Sequence, residues 1–307
     1  MKKQDNSRGV IVPMITPFAN DSQIDLNAAE HITNHLVDHG CFPFLLGTTG
    51  EAASISGIQK QRFVEKVAES IKGRTPLYVG ISSTCFEESV QMAENYSSAG
   101  ADYAVAHPPY FYPLSPAYLK EYYIKLADEI SIPLILYNIP ATTHISIPLD
   151  VVFELSGHPN IIGIKDSERD VERQKKTIVF CNDEKDFFHL TGWGALMTDA
   201  LILGSNGLVP STGNIVPGKY KELYDAAVSG DVTLANDLQI ETDSVSSIYQ
   251  KNRNLSNSLA AMKVLLNELG LCMKKVLPPL MQLSREDEQQ ILLQMRELKV
   301  QQLANIT

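Results

Sequence analysis

The sequence predicts an α/β protein built as a closed (β/α)8 TIM barrel with a C-terminal helical appendage. Short apolar runs alternate with longer amphipathic stretches between residues 9 and 229. The apolar runs are continuous rather than alternating in polarity, which is typical of parallel strands buried on both faces. An open, doubly wound sheet is the alternative, but eight β–α units in succession favour the barrel.

Each predicted strand is followed by a predicted helix. The strand segments are 9–16, 42–47, 76–81, 103–108, 133–140, 161–167, 187–192 and 206–211. The helical segments are 26–39, 57–72, 86–99, 115–130, 148–156, 168–181, 194–204 and 217–229. Asp25 precedes the first helix and Gly40 follows it, as expected of helix boundaries. Pro116 and Pro148 stand in first helical turns, where the missing N–H of proline costs nothing.

Strand signals stop after residue 230. Residues 231–252, 258–271 and 284–303 carry apolar residues at helical spacing, which predicts three further helices. We therefore expect a barrel over residues 1–230 and a helical region over residues 231–307. This region is expected to pack on the barrel rather than to form an independent domain.

Composition argues against several kinds of partner. Acidic residues outnumber basic ones, 36 to 26, and the formal net charge is −10, so nucleic acid is not an expected partner. No apolar run is long enough to cross a membrane, and no signal peptide is recognised. The 4 cysteines form no C-x-x-C pair, which favours free buried thiols in a reducing, cytoplasmic environment.

Three histidines in the first predicted helix recur every four residues, a spacing that could suggest a metal site. His31, His35 and His39 lie at the edge of the apolar stripe formed by Ile32 and Leu36. No acidic or cysteine ligand is placed to complete a set, so a solvated helix face is the expectation and no metal is predicted.

The carboxyl ends of the strands are where a barrel of this type carries its functional groups. The second strand runs into Gly47, Thr48 and Thr49. Successive N–H groups and two hydroxyls in such a turn can bind a carboxylate without a cationic side chain. An ordinary glycine-rich turn is the alternative.

Two reactive side chains are expected at the same mouth. Tyr137 ends the fifth strand and can donate and accept protons, although an aromatic packed at the rim is the alternative. Lys165 follows the apolar part of the sixth strand, where desolvation favours the neutral, nucleophilic amine. A lysine that reaches solvent or pairs with Asp166 is its alternative. An anion site, a phenol and a desolvated amine together predict a Schiff-base site for a 2-oxo acid.

These motifs resemble the dihydrodipicolinate synthase / N-acetylneuraminate lyase superfamily, the pyruvate-dependent class I aldolases. The resemblance covers the whole chain and is carried by VPMITPF, GTTGE, ADYAVAHPPY, YNIP, IGIKDS and GSNGLVPSTGN. It implies a (β/α)8 barrel with a C-terminal helical region, a homotetramer and no cofactor. The partner it implies is a small 2-oxo acid such as pyruvate, with an aldehyde as a candidate second substrate.

The resemblance also implies roles for individual residues. Lys165 is the implied Schiff-base lysine and Tyr137 the implied proton shuttle. Thr48 and Thr49 are implied to bind the pyruvate carboxylate. The residues implied to line the pyruvyl pocket through backbone groups are Gly207, Leu208 and Val209.

Two positions depart from the pattern of dihydrodipicolinate synthases. Those enzymes usually carry an arginine that holds the aldehyde substrate's carboxylate, and the matching position here is Thr142. They also use a tyrosine from the neighbouring subunit, where this chain has Phe111 between Tyr110 and Tyr112. Losing the bidentate guanidinium removes on the order of 2–5 kcal/mol of carboxylate binding, so dihydrodipicolinate synthesis is not the expected activity.

The stretch after the seventh strand lacks the acidic pair of sialic-acid lyases, and Trp193 there can form an apolar wall or pack at the rim. We therefore expect a Schiff-base lyase acting on pyruvate, a 2-keto-3-deoxy sugar acid or a related 2-oxo acid. Three alternatives remain open: a dehydratase of a 2-keto-3-deoxy acid, a dihydrodipicolinate synthase-like condensing enzyme, and a non-catalytic 2-oxo-acid sensor.

Overall fold

The computed structural model of the protein describes residues 8–184 and 186–304. Residues 1–7, 185 and 305–307, which the predicted domain ranges include, lie outside the described residues. The strands are β1 (Gly9–Pro13), β2 (Phe42–Leu45), β3 (Tyr78–Gly80), β4 (Tyr103–Ala106), β5 (Leu134–Asn138), β6 (Ile161–Asp166), β7 (Phe188–Thr191) and β8 (Gly207–Leu208). They pair in parallel in chain order, and β8 closes the barrel onto β1. The predicted barrel is confirmed.

Helices connect successive strands and cover the outside of the barrel. They are α1 (Leu26–Asp38), α2 (Gly57–Ile71), α3 (Phe86–Ala99), α4 (Pro116–Glu129), α5 (Pro140–Thr143), α6 (Leu149–Leu155), α7 (Val171–Asp183), α8 (Met197–Leu203) and α9 (Pro217–Ser229). The C-terminal region contains α10 (Val232–Gln250), α11 (Leu255–Glu268), α12 (Arg285–Glu297) and α13 (Val300–Leu303). The predicted helical appendage is therefore confirmed.

Side-chain caps explain where several helices begin. Asp25 accepts hydrogen bonds from the N–H groups of the first turn of α1. Asp170 accepts from the N–H of Arg173, so α7 begins at residue 171 and not at the predicted residue 168. Asn254 caps α11 in the same way, which places this helix a few residues before the predicted segment 258–271.

Three helical segments differ in kind from the sequence expectation. The predicted helix 194–204 is a 3₁₀ turn (Gly194–Leu196) followed by α8. The predicted helix 284–303 is divided because Lys299 adopts a left-handed conformation between α12 and α13. The short helix α5 was not predicted, since residues 133–140 read as a continuous strand that in fact ends at Asn138.

Two apolar clusters form the core. The side chains packed inside the barrel are Ile11, Phe44, Tyr78, Tyr103, Val105, Ile135, Tyr137, Ile139, Phe188, Leu190 and Val209. A larger cluster lies between the strands and the helices, and it includes C-terminal residues such as Tyr249, Leu265 and Ile291. The C-terminal helices thus share the outer core of the barrel, as expected of a region packed on it; the division of the chain at residue 230 stays a prediction.

Two sequence expectations can be compared directly with the surface. Over residues 8–184 and 186–304, no helix combines the length and the apolar character that a membrane span requires. All four cysteines are free, but Cys85 is exposed rather than buried.

Candidate active site

Lys165 and Tyr137 lie side by side inside the barrel. They are register partners on β6 and β5. The Nζ of Lys165 lies 3.9 Å from the centroid of the Tyr137 ring and 4.7 Å from that of Phe44. Lys165 is only 5% exposed and Tyr137 only 4%. The amine and the phenol that the sequence predicts at one mouth are therefore adjacent.

The environment of Lys165 favours its neutral form. Burial among aromatic rings lowers the pKa of Lys165 to about 7, because desolvation penalises the ammonium ion. The two alternative placements of this lysine are not observed: the side chain does not reach solvent, and Asp166 pairs instead with Arg173. A substantial fraction of the amine is therefore nucleophilic near neutral pH.

Tyr137 is held by a hydroxyl of the loop after β2. Its phenol lies 3.3 Å from the Oγ1 of Thr48. Burial raises the pKa of Tyr137 to about 12, and hydrogen bonds from Thr48 and Ser167 oppose that rise. The phenol therefore stays protonated near neutral pH, and it can pass a proton to a reacting group and recover one.

The loop after β2 leaves N–H groups available to an anion. Leu46 and Glu51, at its two ends, both adopt left-handed backbone conformations. Between them, the N–H of Gly50 donates to the carbonyl of Gly47 at 3.1 Å. Across the described part of the chain, no backbone hydrogen bond is donated by the N–H of Thr48 or of the residue that follows it. Free N–H groups on successive residues of one turn are what a carboxylate site requires.

Thr49 lies within this loop and is half-buried. Gly47, at its start, packs against the ring of Phe44, where an added Cβ would approach within 3.0 Å. Thr16 donates from its hydroxyl to the carbonyl of Gly50 at 2.7 Å and so anchors the loop to the segment that follows β1. The predicted carboxylate-binding residues therefore form one anchored turn beside Tyr137.

The residues predicted on the second-substrate side are more dispersed. Thr142 lies in α5 and turns its hydroxyl toward the carbonyl of Ile139, at 3.4 Å. The ring of Tyr110 lies 6.1 Å from that of His107, which in turn lies 6.2 Å from that of Tyr137. Phe111 is 71% exposed and does not reach the pocket within this chain. Contact between Phe111 and substrate therefore stays a prediction.

The remaining predicted residues lie on β8 and after β7. Trp193 follows β7 and is half-buried. The side chain of Val209 packs inside the barrel, whereas that of Leu208 packs among the outer helices. Leu208 can therefore reach the pocket only through its backbone. At Gly207 an added Cβ would lie 2.6 Å from the carbonyl of Gly9, so this strand pair depends on glycine.

A polar network on the outside of the barrel was not predicted from the sequence. Asn138 and Asp166 follow Tyr137 and Lys165 and are themselves register partners. Asp166 accepts from the Nδ2 of Asn138 at 2.9 Å and from the Nε of Arg173 at 2.7 Å. Asn138 and Arg173, at the two ends of the network, are buried. The network therefore connects β5 to β6 directly behind the two reactive side chains. The period-two alternation along a strand is the signal that could have placed Asp166 outside.

Ser167 is a further pocket residue that the sequence reasoning missed. It stands two positions after Lys165, and its hydrogen bond to Tyr137 lowers the pKa of the phenol. An added Cβ at Gly192 would lie 2.1 Å from the Oγ of Ser167, so this glycine gives the hydroxyl its space. The alternation that places Lys165 inside the barrel applies equally to Ser167.

The histidines of α1 do not form a uniformly solvated face. His35 is buried, and burial lowers its pKa to about 4. His39 approaches the carbonyl of His35 with its Nδ1 at 2.7 Å. Among the residues that the structure describes, no group of three His, Cys, Asp or Glu side chains is arranged to hold a metal ion.

Comparison with known sequences gives a consistent result. A family model described as the dihydrodipicolinate synthetase family matches residues 6–298. An uncharacterized DapA-like lyase of Thermofilum pendens is 32% identical over 296 residues, which span 94% of this chain and 97% of that protein. A 4-hydroxy-tetrahydrodipicolinate synthase of Phenylobacterium zucineum is 30% identical over 293 residues, again 94% and 97% of the two chains.

Solved structures agree with the sequence relatives. The dihydrodipicolinate synthase of Bacteroides thetaiotaomicron superposes with a TM-score of 0.90 at 30% identity, covering 94% of this chain and 98% of that one. A prophage protein of the dihydrodipicolinic acid synthase family from E. coli K12, solved in complex with pyruvate, gives a TM-score of 0.90 at 26% identity, covering 96% and 99%. The chain therefore belongs to the dihydrodipicolinate synthetase family, and it is a lyase of the class I aldolase type.

Proposed function

We propose that this protein is a Schiff-base-forming lyase that acts on pyruvate, a 2-keto-3-deoxy sugar acid or a related 2-oxo acid. The observation that carries the proposal is the buried amine of Lys165, with its lowered pKa, 3.9 Å from the centroid of the Tyr137 ring. The E. coli neighbour solved with pyruvate supports the same class of substrate.

The proposed reaction begins at the neutral amine. The Nζ of Lys165 attacks the keto carbon, and the carbinolamine loses water to form an iminium ion. Tyr137 donates the proton that leaves with this water and recovers one when the iminium is hydrolysed. The N–H groups of Thr48 and Thr49 hold the carboxylate, which fixes the keto carbon beside the amine.

Cleavage follows from the electron demand of the iminium. The phenolate left at Tyr137 takes the proton of the hydroxyl beside the breaking C–C bond, and the electron pair of that bond moves toward the iminium nitrogen, which gives an enamine and releases an aldehyde. Tyr137 returns this proton to the enamine carbon, and hydrolysis of the resulting iminium releases pyruvate and returns Lys165 as the amine. In the condensing direction the same enamine attacks an aldehyde instead.

A condensing enzyme is the second candidate function, because the Phenylobacterium zucineum relative is named a 4-hydroxy-tetrahydrodipicolinate synthase. Thr142 argues against it here, since this position offers a hydroxyl near the carbonyl of Ile139 and no guanidinium for a second carboxylate. Product analysis distinguishes the three activities. A lyase releases pyruvate from a 2-keto-3-deoxy acid, a dehydratase releases water from it, and a synthase consumes pyruvate and an aldehyde.

We extend the proposal to a cytoplasmic homotetramer. Three consecutive exposed aromatic residues, Tyr110, Phe111 and Tyr112, support an interface with another copy of the chain near the site. The free cysteines are consistent with a reducing compartment. Light scattering tests the assembly, and a monomer that is fully active would contradict it.

The Schiff base is tested by borohydride reduction in the presence of pyruvate, followed by intact-mass measurement. We expect one reduced pyruvyl adduct per chain in the wild-type protein and none in Lys165→Ala. Lys175→Ala is the matched control, because this lysine is exposed on α7. The absence of an adduct in the wild type, or an adduct that survives Lys165→Ala, would contradict the proposal.

A further inference from the structure

A buried ion pair joins the loop after β2 to the C-terminal helical region. Glu51 is 4% exposed and Lys263, on α11, is 1% exposed. The Oε1 of Glu51 pairs with the Nζ of Lys263. That Nζ also donates to the carbonyl of Lys275 at 2.8 Å and lies 4.2 Å from the centroid of the Phe18 ring. The N–H of Leu277 donates to the other oxygen of Glu51, at 3.3 Å.

This ion pair needs an explanation other than stability. Removing two charges from water is costly, and apolar residues of similar size often replace such pairs without loss of stability. Burial lowers the pKa of Lys263, and the facing carboxylate of Glu51 opposes that shift. The alternative is that the ion pair holds a neighbouring segment in one conformation, and its position beside the loop after β2 indicates that this loop is the segment.

Glu51 is the last residue of the carboxylate-binding loop, and its own backbone is strained. It adopts φ +55, a conformation that residues other than glycine rarely take. Its N–H donates to the carbonyl of Thr48 at 3.1 Å, which closes the turn that presents the free N–H groups. Because the two oxygens of the Glu51 side chain are held by Lys263 and by the N–H of Leu277, the turn is fixed from its far end.

A continuous path therefore connects the C-terminal region to the reactive groups. Lys263 holds Glu51, the backbone of Glu51 holds Thr48, and Thr48 lies within hydrogen-bond distance of Tyr137. Lys263 itself lies on α11 and bonds none of the reactive groups among the described residues.

We propose that Lys263 is a positioning residue for substrate binding: through Glu51 it holds the Thr48–Thr49 turn in the conformation that binds the carboxylate of the 2-oxo acid. This inference rests on the proposed function of that turn. It gives the C-terminal helical region a part in substrate affinity, beyond its packing on the barrel. A loosened turn lowers affinity for the carboxylate but leaves the amine of Lys165 in its pocket.

The test uses the double variant Glu51→Gln/Lys263→Met, which removes both charges and leaves no unpaired buried ion. Trapping with borohydride over a range of pyruvate concentrations gives the half-saturating concentration and the maximal rate of adduct formation. We expect the half-saturating concentration to rise about 5- to 150-fold, the usual range of coupling between sites, with little change in maximal rate. Acetone, which has the ketone but no carboxylate, should form its adduct as in the wild type.

The matched control is Lys274→Met/Glu288→Gln, which removes another lysine–glutamate pair of the C-terminal region. It should leave pyruvate saturation unchanged. If the double variant at 51 and 263 does not fold, Glu51→Asp is the substitute, because it keeps both charges and shortens the side chain that joins them. It should raise the half-saturating pyruvate concentration and leave the maximal rate and the acetone adduct unchanged.

The outcomes separate the two proposals. Folded variants with wild-type pyruvate saturation, or with pyruvate and acetone adducts weakened equally, would overturn the positioning role of Lys263. A wild-type protein that forms no adduct would instead overturn the proposed function itself.

Discussion

Tyr137 and Lys165 face each other across the ladder between β5 and β6, and both side chains point into the barrel. Register partners in a parallel ladder lie on the same face of the sheet, so the backbone alone brings amine and phenol together. The next pair, Asn138 and Asp166, points outward and meets Arg173. One ladder therefore carries the reacting groups on one face and a buried polar network on the other.

The lowered pKa of Lys165 predicts the pH dependence of adduct formation. The protonated amine cannot attack a ketone, and burial lowers the pKa of Lys165 from its ordinary value of 10.5 to about 7. At low pyruvate concentration, the rate of adduct formation should rise with pH through about 7 and then level off. Measurement between about pH 5 and 9 covers both limbs of the profile. A rate that still rises tenfold per pH unit at the upper end would mean that the amine is solvated.

Tyr137→Phe separates proton transfer from binding. The variant keeps the ring beside Lys165 but removes the hydroxyl that lies 3.3 Å from Thr48. We expect turnover to fall by about 10²–10⁴-fold, the usual contribution of a general acid–base group, while the borohydride-trapped adduct still accumulates. Steady-state kinetics and intact mass measure the two effects. Wild-type turnover in this variant would assign the proton transfers to another group.

The sequence was sufficient to predict the barrel because its strands are continuous apolar runs at regular intervals. It was sufficient to place Lys165, Tyr137 and Thr48 together because each lies at or just after the carboxyl end of a strand, and a barrel gathers those ends at one mouth. These predictions depend on local pattern and on topology, and both can be read along the chain.

The sequence was insufficient where a partner is distant or a face is misassigned. The ion pair of Glu51 with Lys263 depends on how the C-terminal region packs, and no local spacing relates the two residues. His35 was expected on a solvated face, yet it is buried. The apolar stripe of α1 is wider than the expectation assumed, and it includes this histidine. Asp166 was considered as a partner of Lys165, although adjacent residues on a strand point to opposite faces.

Arg173→Met tests the network behind the site. Asp166 would lose its ion pair, with a donor–acceptor distance of 2.7 Å, and would stay buried as an uncompensated carboxylate. The free energy of unfolding should fall by about 3–5 kcal/mol, the usual cost of breaking a buried pair. Urea unfolding near neutral pH measures this cost.

Lys125→Met is the control for this measurement, since its pair with Glu121 is exposed on α4. It should change the free energy of unfolding by less than about 1 kcal/mol. Equal changes in the free energy of unfolding for the two substitutions would show that the polar network behind Lys165 contributes no more to stability than an exposed ion pair.

Gly80→Ala tests whether the end of β3 positions the carboxylate-binding loop. An added Cβ would lie 2.2 Å from the carbonyl oxygen of Leu46 and 2.8 Å from its carbon, and these backbone atoms cannot rotate away. Leu46 already adopts φ +57 directly before Gly47. The substitution should therefore displace the start of the loop, lower the free energy of unfolding by about 1–3 kcal/mol and raise the half-saturating pyruvate concentration.

Gly57→Ala provides the comparison, because among the described residues no heavy atom lies within 4 Å of the added Cβ at the start of α2, apart from the chain neighbours and the backbone of that helix. Alanine there restricts the unfolded chain and should raise stability by about 0.4–1 kcal/mol without altering pyruvate saturation. Thermal unfolding and borohydride trapping measure both variants side by side. If Gly80→Ala behaved like Gly57→Ala in both assays, the contact between β3 and Leu46 would have no part in holding the loop, and its conformation would have to be set from the Glu51 end alone.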